Sequence, residues 1–391
     1  MFRIAEEARK SGFEVWTYSP FPHPRELNRK FIGNEYHFFY GTKLERYVSL
    51  VLGHIFGFNG LSMRRGTKKM IKDMKSKHIE IIHLHNLHNY CIYFPILIKY
   101  VKKYNIKVVW TLHDCWSFTG QCPYFTVSKC DKWRYGCNHC HSHHKYPQSY
   151  ADCSKLMWKL KRFWFTSIKN MTIVTPSKWL ADLVKLSFLK GYPIKVIYNG
   201  IDLNIFKSGS KEFLSKYNIS PNKTILLGVA FDWGYRKGLD VFIELCRRLN
   251  PEQYQIVLVG TNDSVEAQLP DNIISIERTY SQVELVDIYS SSDVFVNPTR
   301  EEVLGLVNIE ANACGIPVIT FRTGGSPECI DETSGIVVNC DDIDAMERAI
   351  VQIRTKKNFL EKDCVNRAKL FDMNDRFKEY VRLYEDIGEN E

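Results

Sequence analysis

Apolar positions along this chain follow two periods in turn. Continuous β-branched runs such as IKVVWTL (106–112), MTIVT (171–175), TILLGVA (224–230), YQIVLV (254–259) and IPVITF (316–321) predict strands buried on both faces. Shorter ones do the same at FEVWTYS (13–19), IEIIHLHN (79–86), IKVIYNG (194–200), ISIE (274–277) and DVFVNPT (293–299). Between them the spacing widens to that of amphipathic helices, at 2–10, 92–104, 178–186, 238–249, 283–292 and 344–353. Ser177 is placed to cap the helix KWLADLVKL. Strand–helix alternation of this kind builds parallel sheets covered on both sides, so the fold class is α/β with doubly wound, Rossmann-like domains. No short fixed repeat runs through the chain.

Length and charge refine this picture. At 391 residues the chain has room for two or three domains at about 150 residues each. Residues 1–200 carry 32 Lys and Arg against 12 Asp and Glu, a net of +20, while residues 201–391 carry 21 against 32, a net of −11. All twelve histidines precede residue 145. A basic half joined to an acidic half implies different partners, the basic one suiting an anionic surface or acceptor. Each Lys or Arg near an anionic bilayer contributes about 1 kcal/mol. No apolar run approaches the roughly 18 residues of a membrane span. Residues 47–63 come nearest, and they include Ser49, His54, Ser62 and three glycines. The N-terminus reads MFRIAEEARK rather than a secretory signal, which makes the cytoplasm the expected compartment, with peripheral attachment at the inner membrane face.

The densest chemistry lies in NPTREEVLGLVNIEANACGIPVITFRTGGSPECI (297–330). Glu302 and Glu310 stand eight residues apart around the turn Leu304-Gly305-Leu306, where a helix begins. Unpaired N–H groups at a helix start attract phosphate. Carboxylates on either side can grip hydroxyls, and a diphosphate between a sugar and a ribose is a nucleotide sugar. Arg236 and Lys237 follow a strand in the turn before a helix, a setting for cations that meet a departing diphosphate. Gly260 and Thr261, and Arg278 and Thr279, follow other strands at the ends that line ligand crevices. In the basic half His83, His85, Asn86 and His88 end one strand and His113-Asp114 another, a grouping suited to an acceptor.

These segments, together with VTPSKWLADL (174–183), VIYNGIDLNIF (196–206), RKGLD (236–240) and TLHDCWSFTGQC (111–122), resemble the family 4 glycosyltransferases, in the order that family has them. The likeness extends over most of the chain and is closest to members that build bacterial surface polysaccharides. It implies the GT-B fold: an acceptor domain at 1–206, a nucleotide-sugar domain at 207–370 facing it across a cleft, and a C-terminal helix at 371–391 returning to the first domain. It implies retaining transfer from a nucleotide-diphosphate sugar to a glycan or lipid-linked acceptor. By resemblance Glu302 faces the donor sugar, Glu310 the ribose, Lys237 the diphosphate and His113 the transferring sugar, so Glu302, His113 and Lys237 carry the catalytic expectation.

The chain departs from the family in three places. Asp232 stands where an arginine is usual, which passes that charge to Arg236. Val303 and Leu304 replace a usual Gly-Phe, leaving sugar choice open. The family also has a strand and a Gly-rich turn ahead of the helix with which this sequence opens, so the resemblance implies that the sequence starts after the first strand of the N-terminal domain, through a misassigned start or a truncation.

Cys122, Cys130, Cys137 and Cys140 crowd a His-rich loop, with one CxxC pair. A structural zinc and a set of reduced, packed thiols both suit that spacing, and a disulfide suits a cytoplasmic protein least. Asp342 and Asp344 resemble a metal-binding acid pair but precede a helix, so a cap is the better account and no catalytic cofactor is expected. Rival readings are a non-catalytic nucleotide- or glycan-binding relative, a phosphorylase or epimerase on the same fold, and a zinc-dependent nucleic-acid binder. The last lacks regular finger spacing and leaves the donor signature unexplained, so no nucleic-acid partner is expected.

Overall fold

A computed structural model describes residues 1–21, 34–58, 60–88, 91–356 and 358–389. They divide into two compact units, Met1–Ile197 with Phe377–Glu391, and Tyr198–Arg376.

The first unit holds β1 (Thr17–Ser19), β2 (His37–Phe39), β3 (Ile81–Leu84), β4 (Lys107–Thr111), β5 (Met171–Thr175) and β6 (Ile194–Val196). Its helices are α1 (Phe2–Lys10), α2 (Lys43–Phe56), α3 (Arg64–Ser76), α4 (Phe94–Tyr104), α5 (Ser154–Phe165) and α6 (Lys178–Lys185). Strands β3-β4-β5-β6 form one parallel sheet in that order, and β1 pairs with β2 alone in another. Ser177 caps α6 by accepting from the Leu180 N–H. Val109 and Val174 are fully buried and pack with Ile4 and Ala8 of α1. Tyr380, Val381, Leu383 and Tyr384 complete that core. They come from the last helix of the chain, Met373–Glu389.

The second unit is a single parallel sheet of β7 (Thr224–Val229), β8 (Tyr254–Val259), β9 (Ile273–Ile276), β10 (Val294–Asn297), β11 (Val318–Phe321) and β12 (Gly335–Val338). Its helices are α7 (Phe213–Lys216), α8 (Leu239–Arg248), α9 (Asp263–Glu266), α10 (Gln282–Ser290), α11 (Leu306–Ala313), α12 (Ile343–Lys356) and α13 (Glu361–Lys369), while the terminal helix, α14, belongs from Phe377 on to the first unit. Alternate strand residues feed two cores. Leu226, Val296 and Ile319 meet Phe242 of α8 and Ile350 of α12. Leu227, Phe295 and Val318 meet Tyr289 of α10 and Ile309 of α11. Burying each such side chain contributes about 1.5–3 kcal/mol, enough to fix which face each helix covers.

Strand order β12-β11-β10-β7-β8-β9 has a consequence for the site. From β7 the chain winds outward through β8 to β9, then returns to the other side of β7 with β10. The helices that follow β7 and β10, α8 and α11, therefore lie on opposite faces of the sheet, and the gap between these strands is the switch point where open parallel sheets bind ligands.

Candidate functional site

Two loops meet at that switch point. The loop after β7 carries Arg236 and Lys237, and ends at Gly238, whose φ is +75°. A Cβ there would stand 2.4 Å from the Pro298 carbonyl, so only glycine lets the two loops approach. Arg300, from the loop after β10, is the pin between them. Its backbone N–H donates to the Arg236 carbonyl at 2.9 Å. Its guanidinium forks onto Asp240 at 2.8 and 2.7 Å, reaches Asp341 at 2.6 Å, and lies 3.8 Å from the Tyr235 ring centroid. With the side chain 6% exposed, that cation is held only because two carboxylates neutralise it.

Glu302 follows two residues later. Its Oε2 accepts from Lys237 Nζ at 2.7 Å and its Oε1 from the Val303 N–H at 3.1 Å. The Glu302 carbonyl faces the turn after β11: Gly325 N–H donates to it at 3.3 Å, and a Cβ on Gly324 (φ +56°) would fall 1.6 Å from it. Leu304 is buried and Gly305, at φ +91°, opens α11 with no side-chain cap. The Asn308 N–H is taken by the Gly305 carbonyl at 3.0 Å, and the N–H groups of Leu306 and Val307, which precede the first intrahelical bond, can meet an anion.

Glu310 lies in the second turn of α11 and accepts from Tyr289 Oη at 3.2 Å. Burial pushes its carboxyl up to about 7, the Tyr289 hydrogen bond opposing. Gly260 (φ +87°) closes β8 against β7, since a Cβ would sit 1.8 Å from the Ala230 carbonyl. Thr261 is buried and bonded to Ser275 Oγ at 2.8 Å. Arg278 is exposed and Thr279 half-buried after the edge strand β9, two strands away from β7. The contacts therefore gather Lys237 and Glu302 at the α11 start and leave Arg278 and Thr279 at the sheet's margin. Arg236 stands 3.9 Å from Asp232.

In the first unit the strand-end histidines form a chain of contacts. His85 Nδ1 lies 3.1 Å from His113 Nε2, and His88 Nε2 donates to Asp114 at 2.8 Å. Asp114 also accepts the Trp116 N–H at 2.8 Å, while Asn86 is exposed. His83 is different: Tyr384 Oη and Thr111 Oγ1 occupy both its ring nitrogens, which ties it to α14 rather than leaving it free for an acceptor. Burial lowers His83 to about 3 and His113 to about 4, so both are neutral imidazoles at pH 7.

Comparison with known families decides what this arrangement belongs to. A model described as Glycosyltransferase Family 4 matches residues 1–205, and one described as Glycosyl transferases group 1 matches residues 222–356. The chain belongs to glycosyltransferase family 4. It is 24% identical over 270 residues to the putative colanic acid biosynthesis glycosyl transferase WcaC of Escherichia coli, across 67% of this chain and 65% of that relative's length. A glycosyltransferase structure from Rickettsia africae matches with a TM-score of 0.69 at 17% identity, covering 100% of this chain and 95% of the other. Anabaena HepE, solved with UDP-glucose, matches with a TM-score of 0.59 at 14% identity, covering 82% of each. The fold they share is GT-B, built from two Rossmann-like units.

Within this family 4 chain the cysteine loop takes its own form. Cys122, Cys130, Cys137 and Cys140 line one cavity of about 310 Å³. A hydrogen bond between the Cys122 and Cys140 thiols lowers Cys140 and raises Cys122. Cys137 Sγ accepts the Gly120 N–H at 3.2 Å. Among the described residues no three His, Cys, Asp or Glu side chains are arranged to hold a metal, so the zinc expectation finds no ligand set in this arrangement. Asp342 accepts the Ala345 N–H at 2.8 Å as a helix cap, and Asp344 pairs with Arg248. The sequence alone marks Gly324 as part of a turn after β11 but gives Arg300 no role. Arg300 sat within the quoted motif without a role, and its partners Asp240 and Asp341 are too far off in sequence to signal one.

Proposed function

We propose that the protein transfers a glycosyl group, with retention of configuration, from a nucleotide-diphosphate sugar to a hydroxyl of a glycan or lipid-linked acceptor in polysaccharide biosynthesis. On this reading it works in the cytoplasm at the inner face of the membrane. The carrying observation is the 2.7 Å pair between Lys237 and Glu302 beside the uncapped start of α11. Cation, carboxylate and free amides converge there, as a phosphosugar requires. HepE, whose structure contains UDP-glucose, has the same fold.

On donor binding Lys237 exchanges its carboxylate partner for the diphosphate, and Glu302 turns its oxygens to the sugar hydroxyls. As the bond from the anomeric carbon to the β-phosphate oxygen breaks, charge grows on that oxygen, met by Lys237, Arg236 and the α11 amides. The acceptor oxygen bonds the anomeric carbon on the same face and its proton passes to the leaving phosphate. His113, neutral at pH 7, takes part as a hydrogen-bond donor rather than as a cation. Glu310 holds the ribose diol. Charge-assisted hydrogen bonds contribute about 1.5–3 kcal/mol each, so Lys237→Met lowers kcat/KM about 10- to 100-fold.

Thermal shift against a panel of nucleotide sugars tests the donor. A UDP- or GDP-sugar at a hundredfold excess over its Kd adds about 2.7 kcal/mol of stability, and Glu310→Ala removes that gain. Equal stabilisation of the variant sinks the role given to Glu310. Turnover that needs free phosphate, or none of an acceptor, would make the protein a phosphorylase or epimerase instead.

A further inference from the structure

Helix α2 is turned inside out. Its buried residues are Ser49 and Gly53, one turn apart. Ser49 hydrogen-bonds Ser62, whose hydroxyl contacts the Glu45 carbonyl at 2.8 Å, so the inward face is small and polar. On the opposite arc the large apolar side chains point outward: Leu44 is 72% exposed, Tyr47 68% and Ile55 42%. Between Arg46 and Phe56 the helix carries no Asp, Glu, Lys or Arg. The apolar surface also continues past the helix. The Tyr150 N–H donates to the His54 carbonyl at 2.7 Å, which sets that tyrosine, 78% exposed, at the helix's C-terminal end. Single exposed apolar residues are ordinary, but a helix that hides serine and glycine while presenting this row has an unfilled face.

Charge identifies what fills it. Helix α3 follows seven residues later and exposes Arg64, Arg65, Lys68 and Lys69 in its first two turns, with no acid in the first. The half of the chain containing both helices has a net charge of +20. A second copy would set one such half against another, at an electrostatic cost. Apolar side chains beside a cluster of cations suit an anionic lipid bilayer, tails under the first and headgroups against the second.

We infer that the outward face of α2, with the cationic start of α3, docks this protein on an anionic membrane surface. The inference deepens the lipid-linked acceptor reading, yet rests on residues apart from the donor site, so either can fail alone. Vesicle co-sedimentation of the full chain tests it. The protein should bind phosphatidylcholine vesicles containing phosphatidylglycerol, bind pure phosphatidylcholine more weakly, and be released by about 0.5 M salt. Leu44→Ser/Tyr47→Ser/Ile55→Ser should lose about tenfold or more in vesicle affinity with its nucleotide-sugar thermal shift intact. Amide exchange across 43–56 in the unmodified protein should slow when anionic vesicles are added. Wild-type binding by the triple variant, unchanged exchange, or no vesicle binding at all overturns the inference. So does a wild-type dimer that the triple variant dissolves without vesicle binding, which would make a second copy the occupant.

Discussion

Glu302 and Glu310 are the same side chain in opposite settings. Glu302 is held by an ammonium at 2.7 Å, whereas Glu310 has only a phenol at 3.2 Å and burial pushes it up to about 7. Ligand hydroxyls that donate to the carboxylate favour its ionised form, so donor binding by Glu310 releases a proton. Affinity for the nucleotide sugar should therefore fall as pH drops through about 7, and Glu310→Gln should flatten that dependence while binding weakly throughout. Titration calorimetry in buffers of differing ionisation enthalpy reads both effects. The stability sign runs the other way: a raised carboxyl favours the fold at low pH, and that contribution is lost as pH climbs from about 4.5 through 7. At this scale the sequence revealed the carboxylates and cations, because residue type and spacing carry that chemistry. It did not reveal the environments, since Tyr289 lies 21 residues from Glu310 and nothing local marks it as a partner.

At the scale of elements, the site depends on turns brought too close together for side chains. Gly324 is the sharpest case, its φ of +56° and the Glu302 carbonyl leaving no space for a Cβ. Left-handed backbone alone costs a non-glycine residue about 1–2 kcal/mol, and the clash must also push Glu302 from its place. Gly324→Ala should therefore lower Tm and weaken donor binding together, whereas an alanine at Gly191, which meets nothing within 4 Å, should do neither. A Gly324→Ala protein with unchanged donor affinity would show that the β11 turn does not position Glu302. The buried strands of the second unit were legible because continuous β-branched runs admit few other readings. Helix α2 was not. Its apolar residues point outward, so the usual link between an apolar row and a core fails, and the run reads only as an uncharged stretch too short to cross a membrane. Among the described residues no helix is long and apolar enough to do so.

Across the whole molecule, charge and core divide the chain at nearly the same place, except that the terminal helix α14 of the acidic half packs into the first core. The basic half contains the histidine chain and the outward face of α2, and the acidic half contains the Lys237–Glu302 pair. Each compact unit also has its own packed interior: Val109, Val174 and Tyr380 in one, Leu227, Phe295 and Ile309 in the other. Separate cores predict separate cooperative transitions. Scanning calorimetry should accordingly resolve two unfolding steps, and a nucleotide sugar should raise chiefly the one belonging to Tyr198–Arg376, since Lys237, Glu302 and Glu310 all lie in that unit. Glu310→Ala identifies the step, because it removes the ligand's shift from that transition and leaves the other in place. A single transition that the donor moves as a whole would mean the units unfold together, and binding energy gathered at α11 would then stabilise the α2 face as well.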